Sequence, residues 1–109
     1  MIVYEVDLEI DADVAVEYRA WLGAHIDEIL ALPGFAGASL ATRLDPAPAQ
    51  GRVSLVVAYR LADEAALARY LAEHAPRLRE EGVARFGGRF AAARRVLRVE
   101  NQAPQIRSA

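Results

Sequence analysis

The segment from Val53 to Leu61 is the most strand-like part of the chain and restricts the fold more than any other feature. It is rich in β-branched residues and lies between turn-forming residues. Side chains at alternate positions of a strand point to opposite faces of a sheet, and here both sets are largely apolar. Such a strand needs a covering layer on each side. Helices of this chain can form one layer, but 109 residues leave little for the second, which points to a partner subunit.

The beginning of the chain predicts a strand followed by a long helix. Residues 2–10 alternate apolar with mainly acidic side chains without a break, which is typical of a half-buried strand. An apolar stripe at helical spacing then runs over residues 14–30, with Asp11 and Asp13 as candidate N-caps. Pro33 ends this helix.

The middle of the chain predicts two further strands and a second helix. The segment 35–44 is a weaker strand, because Gly37 and several alanines interrupt it, and we expect it at a sheet edge or with a bulge. A turn-forming connector, residues 45–51, leads into the central strand. Asp63 then caps a second helix, which either kinks at Pro76 or restarts there with the proline in its first turn.

The last part of the chain predicts a helix end, a fourth strand and a tail. The glycines within residues 85–90 favour a helix C-cap anchored by aromatic residues, with a phosphate cradle as the alternative. Residues 89–100 form the last strand, and residues 101–109 form a polar, loosely ordered tail. The order of elements, βαββαβ, predicts an α+β fold of the ferredoxin-like type. We expect a single domain over residues 1–100 with a four-stranded antiparallel sheet and two helices on one face.

The other face of this sheet is predicted to be open and to form a homodimer interface. Because the first and third strands are central in a ferredoxin-like sheet, their outward side chains lie together on that face. We also expect arginines of the last strand to pair there with acids of the first strand. Packing two such faces together produces a dimeric α/β barrel. The predicted interface residues are Val3, Glu5, Asp7, Val56, Ala58, Arg60, Arg94 and Arg98, with Glu9, Ser54 and Arg95 beside them.

Charge and composition restrict the partners. Residues 1–50 contain nine acids and two arginines, whereas residues 51–109 contain eleven arginines and six acids, and the net charge is -2. The two halves are predicted to neutralise each other, so we expect no nucleic-acid partner, although an anion-binding or nucleic-acid-binding basic half is the alternative. The chain has no cysteine and no apolar run near the roughly 20 residues that span a bilayer. These features predict a soluble cytoplasmic protein without a membrane partner.

Several segments also resemble a known family. They are Trp21-Leu22-Gly23-Ala24-His25-Ile26, Glu28, Pro33-Gly34-Phe35, Tyr70, His74-Ala75-Pro76, Leu78-Arg79, Arg85-Phe86-Gly87 and Arg94-Arg95-Val96-Leu97. This pattern resembles a family of small uncharacterised bacterial proteins in the dimeric α/β-barrel superfamily. The superfamily also contains antibiotic-biosynthesis monooxygenases, haem-degrading monooxygenases and stress-responsive barrel proteins. The resemblance implies the fold and a homodimer, and the wider superfamily implies a small-molecule pocket between helices and sheet.

Two histidines and four aromatic residues are the candidates for a functional site. His25 and His74 lie on the apolar stripes of their helices, where an imidazole either packs in the core or acts as a general base or haem ligand. Around them, we predict that aromatic side chains form the wall of a pocket or simply fill the core. The candidate wall residues are Tyr18, Trp21, Tyr59 and Tyr70. No metal site is expected, because no run of ligands has metal spacing.

Three functions stay open at this point. The first is a small-molecule-binding homodimer, and its alternative is a cofactor-free or haem-dependent monooxygenase-like enzyme. The second is a non-enzymatic structural or regulatory dimer, in which the histidines serve the core only. The third is a binder of anions or nucleic acid. An enclosed cavity that reaches a histidine would favour the first, and a filled interior would favour the second.

Overall fold

Four strands form one antiparallel sheet in the order β2-β3-β1-β4. The strands are β1 (Ile2–Asp11), β2 (Phe35–Thr42), β3 (Arg52–Leu61) and β4 (Phe90–Arg98). The structure, a computed structural model, describes residues 1–102, so residues 103–109 of the predicted tail lie outside the described residues. The two strands with the clearest sequence patterns are the central pair, as predicted for a ferredoxin-like sheet.

Three helices pack on one face of this sheet. They are α1 (Ala15–Leu30), α2 (Glu64–Glu73) and α3 (Ala75–Phe86). The core lies between the two layers, where Ile10, Leu55 and Leu61 are fully buried. No helix within residues 1–102 is long and apolar enough to cross a bilayer.

The second predicted helix restarts at its proline. The side chain of Asp63 accepts a hydrogen bond of 2.8 Å from the backbone of Ala66 and so caps α2. His74 separates α2 from α3, and Pro76 lies in the first turn of α3, where its missing amide hydrogen is not needed. Gly87 ends α3 with a φ of 56°, as expected for a glycine C-cap.

The predicted caps of α1 are wrong. Asp11 makes no side-chain capping bond, and a short 3-10 turn over residues 12–14 leads into the helix. The carboxylate of Asp11 lies 2.7 Å from the guanidinium of Arg89 and 3.1 Å from that of Arg52, and Asp13 also pairs with Arg89. Arginines that are distant in sequence therefore compete successfully for these carboxylates.

The register of the sheet separates the side chains into two faces. In β1, Ile2, Tyr4, Leu8 and Ile10 are buried towards the helices, and the alternate residues point away from them. We call the other side the open face. It consists of Val3, Glu5, Asp7 and Glu9 from β1, Ser54, Val56, Ala58 and Arg60 from β3, and Ala91, Ala93, Arg95 and Leu97 from β4.

Two arginines predicted for the open face lie on the helix side instead. Arg94 is opposite Val6 and Arg98 is opposite Ile2, whereas Arg95 is opposite Glu5. Side chains alternate along a strand, so Arg94 and Arg98 cannot share a face with Arg95. Arg98 of β4 forms an ion pair with Glu64 of α2, and 2.9 Å separates its guanidinium from the carboxylate.

The edge strand β2 contains the predicted irregularity. Its pairing with β3 shifts register between Phe35 and Gly37, which is a bulge at a sheet edge. The guanidinium of Arg60 lies over Gly37, in the space that a Cβ atom would occupy. A glycine here lets an arginine lie flat on the open face.

Candidate functional site

A pocket lies between the helix layer and the sheet. It is bounded by α1, α2, α3, the two central strands and β4, and it holds about 50 Å³ of free space, enough for a few water molecules. Aromatic and aliphatic side chains form most of the wall. The polar side chains that line it are Tyr4, Tyr18, Tyr59, Tyr70, His25, Arg79 and Arg94, with the indole of Trp21.

Trp21 and His25 form one wall of this pocket. They lie one turn apart on α1, and their rings stack at a centroid distance of 4.5 Å and an angle of 21°. Tyr18 lies one turn before Trp21 on the same side of α1, with 5.5 Å between the two ring centroids. Gly82 of α3 faces this wall, and a Cβ atom at that position would lie 3.1 Å from the outer edge of the indole. The glycine therefore allows α3 to approach Trp21 closely.

The imidazole of His25 is half-buried and incompletely hydrogen-bonded. Its Nδ1 atom is buried and has no hydrogen-bond partner within residues 1–102. Burial lowers the pKa of His25 from its ordinary value, against the opposing effect of Glu28 and Glu81. The ring is therefore neutral at neutral pH, and a neutral imidazole has one nitrogen that accepts a proton. A residue of the pocket lining therefore carries a buried nitrogen that has no partner within residues 1–102.

The tyrosines form the opposite wall and the floor. Tyr4 contacts Tyr59 and Tyr70 at centroid distances of 6.2 and 6.1 Å, and Phe35 packs against the same two rings. Burial raises the pKa of Tyr18 and of Tyr70 to about 12, and it also raises the pKa of Tyr59. These hydroxyls stay protonated at neutral pH, so they can donate hydrogen bonds to an oxygen of a ligand but cannot serve as bases.

Two arginines complete the lining. Arg79 of α3 donates a hydrogen bond of 3.0 Å to the hydroxyl of Tyr4. Arg94 of β4 lines the pocket together with Tyr18 and Tyr70, and its charge lowers the pKa of both tyrosines, against the larger effect of burial. Sequence reasoning did not select Arg79 for the site and placed Arg94 on the wrong face. The spacing of Arg79 and Gly82, one helical turn, would have indicated a shared side of α3 once the restart at Pro76 was known.

His74, the second candidate histidine, does not line the pocket. It lies at the junction of α2 and α3, where its backbone donates to Tyr70 and accepts from Leu78. Its Nε2 atom is 3.9 Å from the carboxylate of Glu73. The two histidines are therefore in different surroundings. Within residues 1–102, no three histidine, aspartate or glutamate side chains converge closely enough to hold a metal ion.

The open face carries charges that are paired within the chain. Arg43, at the end of β2, makes two hydrogen bonds of 2.7 and 2.8 Å to Asp7 and one of 3.4 Å to Glu9. Arg95 lies 2.8 Å from Glu5. Sequence reasoning missed Arg43, although it lies within the predicted strand 35–44, because its partners are more than 30 residues away in the sequence.

A shallow, open pocket with a volume of about 540 Å³ lies over these ion pairs on the open face. Charged, proline and aliphatic residues line it, and Arg94 is in this lining as well as in that of the aromatic pocket: Glu5, Asp7, Arg43, Asp45, Pro46, Val56, Ala93, Arg94 and Arg95. The register places six of the eight predicted interface residues on the open face. They are Val3, Glu5, Asp7, Val56, Ala58 and Arg60.

Solved structures with the same fold cover nearly the whole chain. A candidate antibiotic biosynthesis monooxygenase from Deinococcus radiodurans has a TM-score of 0.73 at 14% identity, over 99% of this chain and 100% of that chain. SnoaB, a cofactor-independent oxygenase from Streptomyces nogalater, has a TM-score of 0.68 at 16% identity, over 95% and 98%. Rv0793 from Mycobacterium tuberculosis has a TM-score of 0.65 at 24% identity, over 95% and 100%. These similarities confirm the predicted ferredoxin-like fold and, at such low identity, establish the fold alone.

Sequence comparison identifies the family. No curated protein matches the chain. The family described as "Domain of unknown function (DUF4286)" matches residues 1–100, which is nearly the whole chain. The resemblance seen in the sequence motifs is therefore confirmed, and the protein belongs to the DUF4286 family.

Proposed function

We propose that the protein binds a small planar organic molecule in the aromatic pocket and that His25 takes a proton from it. The observation that carries this proposal is the buried Nδ1 atom of His25, which has no partner within the described chain and lies beside the stacked ring of Trp21. A buried polar atom without a partner costs free energy, so its presence beside a pocket favours a role in ligand binding. A neutral imidazole is the side chain suited to proton transfer near neutral pH.

The reaction that fits this pocket is oxygenation without a cofactor. Such a reaction needs a substrate that becomes an electron-rich carbanion or phenolate when it loses a proton, because that anion can donate electrons to O2. Overall, a CH2 group and O2 become a carbonyl group and water. His25 would remove the proton, and the protonated tyrosines would donate hydrogen bonds to the oxygen anion that forms. SnoaB, which has the same fold, is described as a cofactor-independent oxygenase, and this supports the proposal by analogy of fold.

The size of the pocket restricts what it can hold. About 50 Å³ is small beside the roughly 300 to 1,000 Å³ of common ligand pockets. A ligand larger than a few waters therefore needs part of the wall to move, and Trp21, which is only partly buried, would make room by a shift of its indole.

Oxygen uptake with an anthrone as the test substrate examines this function directly. We expect the parent protein to accelerate oxygen consumption and His25→Ala to abolish the acceleration. His74→Ala is the matched control, because that histidine lies outside the pocket, and it should behave as the parent. Equal rates for the parent and His25→Ala would contradict the role of His25. Absence of both turnover and ligand binding with a panel of anthrones and hydroquinones would favour a non-enzymatic dimer.

We also propose that the open face binds a second copy of the chain. Val3, Val56 and Leu97 would leave water on contact, and burial of apolar area is favourable. The acids between them, Glu5, Asp7 and Glu9, already pair with Arg95 and Arg43 of the same chain, so these charges can be covered without leaving them unpaired.

Light scattering tests the dimer. We expect a dimer mass at micromolar concentration, and Val56→Arg should shift it to monomer, because an added charge would be buried without a partner. Val83→Arg is the control, since Val83 is exposed on α3, on the opposite side of the molecule. A monomer mass for the parent protein would refute the proposal.

A further inference from the structure

We infer that the ligand of the aromatic pocket is an anion: a planar aromatic molecule that carries a carboxylate or phenolate group, held at the pocket mouth by Arg79 and Arg94. This inference rests on the proposed function, because it specifies the substrate class of the same pocket. It is carried by the distribution of charge around the pocket.

The lining contains positive charge and no acid. Arg79 and Arg94 are the two cationic side chains in the wall, and neither Asp nor Glu contributes to it. The other titratable groups in the lining are His25 and the tyrosines, whose displaced pKa values keep Tyr18, Tyr59 and Tyr70 protonated and His25 neutral. Glu28 and Glu81, whose charges act on His25 from outside the lining, are both paired with Arg77, so the unpaired charges at the pocket are positive and favour a negatively charged ligand.

Six of the twelve arginines in residues 1–102 have no carboxylate within 4 Å, and Arg79 and Arg94 are the two of these that line the pocket. Six arginines lie within 4 Å of a carboxylate, namely Arg43, Arg52, Arg77, Arg89, Arg95 and Arg98. Arg79 and Arg94 have no carboxylate within that distance in residues 1–102, and Arg79 donates to a neutral tyrosine hydroxyl instead. Both guanidinium groups keep donors free for a carboxylate, which they bind with paired hydrogen bonds.

The positions of the two arginines predict the orientation of the ligand. Arg79 is on the helix layer and Arg94 is on the edge strand, and both are exposed residues that also line the pocket, so each connects the pocket with solvent. The floor is formed by buried residues such as Val57 and Leu78. An aromatic ring can therefore lie against Trp21 while its anionic group stays at the mouth between the two guanidinium groups.

Titration with 4-nitrobenzoate and 4-nitrobenzamide tests this inference. The two molecules have nearly the same shape and differ in charge. Trp21 is the only tryptophan of the chain, so quenching of its fluorescence reports on the pocket, and calorimetry measures the same affinity independently. We expect the parent protein to bind the benzoate about tenfold more tightly than the benzamide, because charge-assisted hydrogen bonds are stronger than neutral ones.

Single substitutions test whether Arg79 and Arg94 bind the anionic group of the ligand. Arg79→Gln and Arg94→Gln should each weaken binding of 4-nitrobenzoate about tenfold and change binding of 4-nitrobenzamide less than twofold. Arg79→Lys, which keeps the charge, should recover part of the loss. Arg69→Gln, an exposed position on α2, is the control and should leave both affinities unchanged. Melting curves of each variant check that the fold is intact.

The outcomes separate the two proposals. Equal affinity of the parent protein for both probes, with no effect of the arginine substitutions, would overturn the anion inference and leave the small-molecule pocket standing. Absence of binding and of Trp21 quenching with both probes would overturn the proposed function as well.

Discussion

Replacing His25 with alanine separates a functional imidazole from a structural one. If the imidazole served the core through a hydrogen bond, its removal would leave the bonding partner unsatisfied, at a cost of about 1 to 3 kcal/mol. The Nδ1 atom of His25 has no such partner within residues 1–102. We therefore expect His25→Ala to change the free energy of unfolding little while it removes ligand binding.

Three contributions determine the size of this change. The variant loses the stacking of His25 on Trp21 at 4.5 Å, which is worth about 0.5 to 1.5 kcal/mol. It gains roughly 0.5 kcal/mol of helix propensity, because alanine replaces histidine inside α1. It also removes a buried nitrogen without a partner, which relieves about 1 kcal/mol or more of desolvation cost. These contributions oppose each other, so the net change should be below about 1 kcal/mol in either direction.

Thermal unfolding and ligand titration of the same samples measure both effects. A change below about 1 kcal/mol corresponds to a shift of less than about 8 °C in Tm for a domain of this size. His74→Ala, at the junction of α2 and α3, is the control for binding and should bind ligand as the parent does. A loss of more than about 2 kcal/mol for His25→Ala, with unchanged ligand binding, would refute the reasoning and assign His25 to the core.

Three further predictions test neighbouring features. Because burial lowers the pKa of His25 below its ordinary value of 6.5, the unfolded chain binds a proton that the folded chain does not. Stability should therefore fall as the pH falls below about 6.5, and His25→Ala should flatten this slope in melts at a series of pH values; an unchanged slope would assign it to other groups. A double-mutant cycle with Glu5→Gln and Arg95→Gln should show coupling in the dimer and little in the open-face variant that does not dimerise, and additivity in both would argue against burial of this pair in an interface. Ser54 is 1% exposed and its hydroxyl has no partner within residues 1–102, so Ser54→Ala should raise the free energy of unfolding by about 1 kcal/mol in chemical denaturation. Destabilisation by a similar amount would show that the hydroxyl is bonded in solution.

Part of the candidate site could be predicted from local spacing. Tyr18, Trp21 and His25 follow one another at helical intervals, so their shared side of α1 is a consequence of the helix period alone. Tyr59 falls on the helix-facing side of its strand for the equivalent reason. The separation of His74 from this group could not be predicted, because the restart of the helix at Pro76 changes the direction of the residues around it.

The strands and helices and their order along the chain follow from local sequence patterns. A strand or helix that buries one face has apolar residues at every second position or at intervals of about 3.6 residues. This pattern is local, so it can be recognised from the sequence alone. The central position of β3 also follows from its two apolar faces.

The pairing of charged side chains, in contrast, depends on how the strands and helices pack together. The sides on which Arg94 and Arg95 lie depend on the register of β4 against β1, which a one-residue shift would reverse. Arg79 reaches Tyr4 across 75 positions of the chain, and Arg43 reaches Asp7 across 36. Such contacts depend on the relative placement of several elements at once. The spacing of residues in the sequence does not indicate which partner a long, flexible arginine side chain will reach. The positive pocket mouth and the paired charges of the open face therefore emerge only when the layers are assembled.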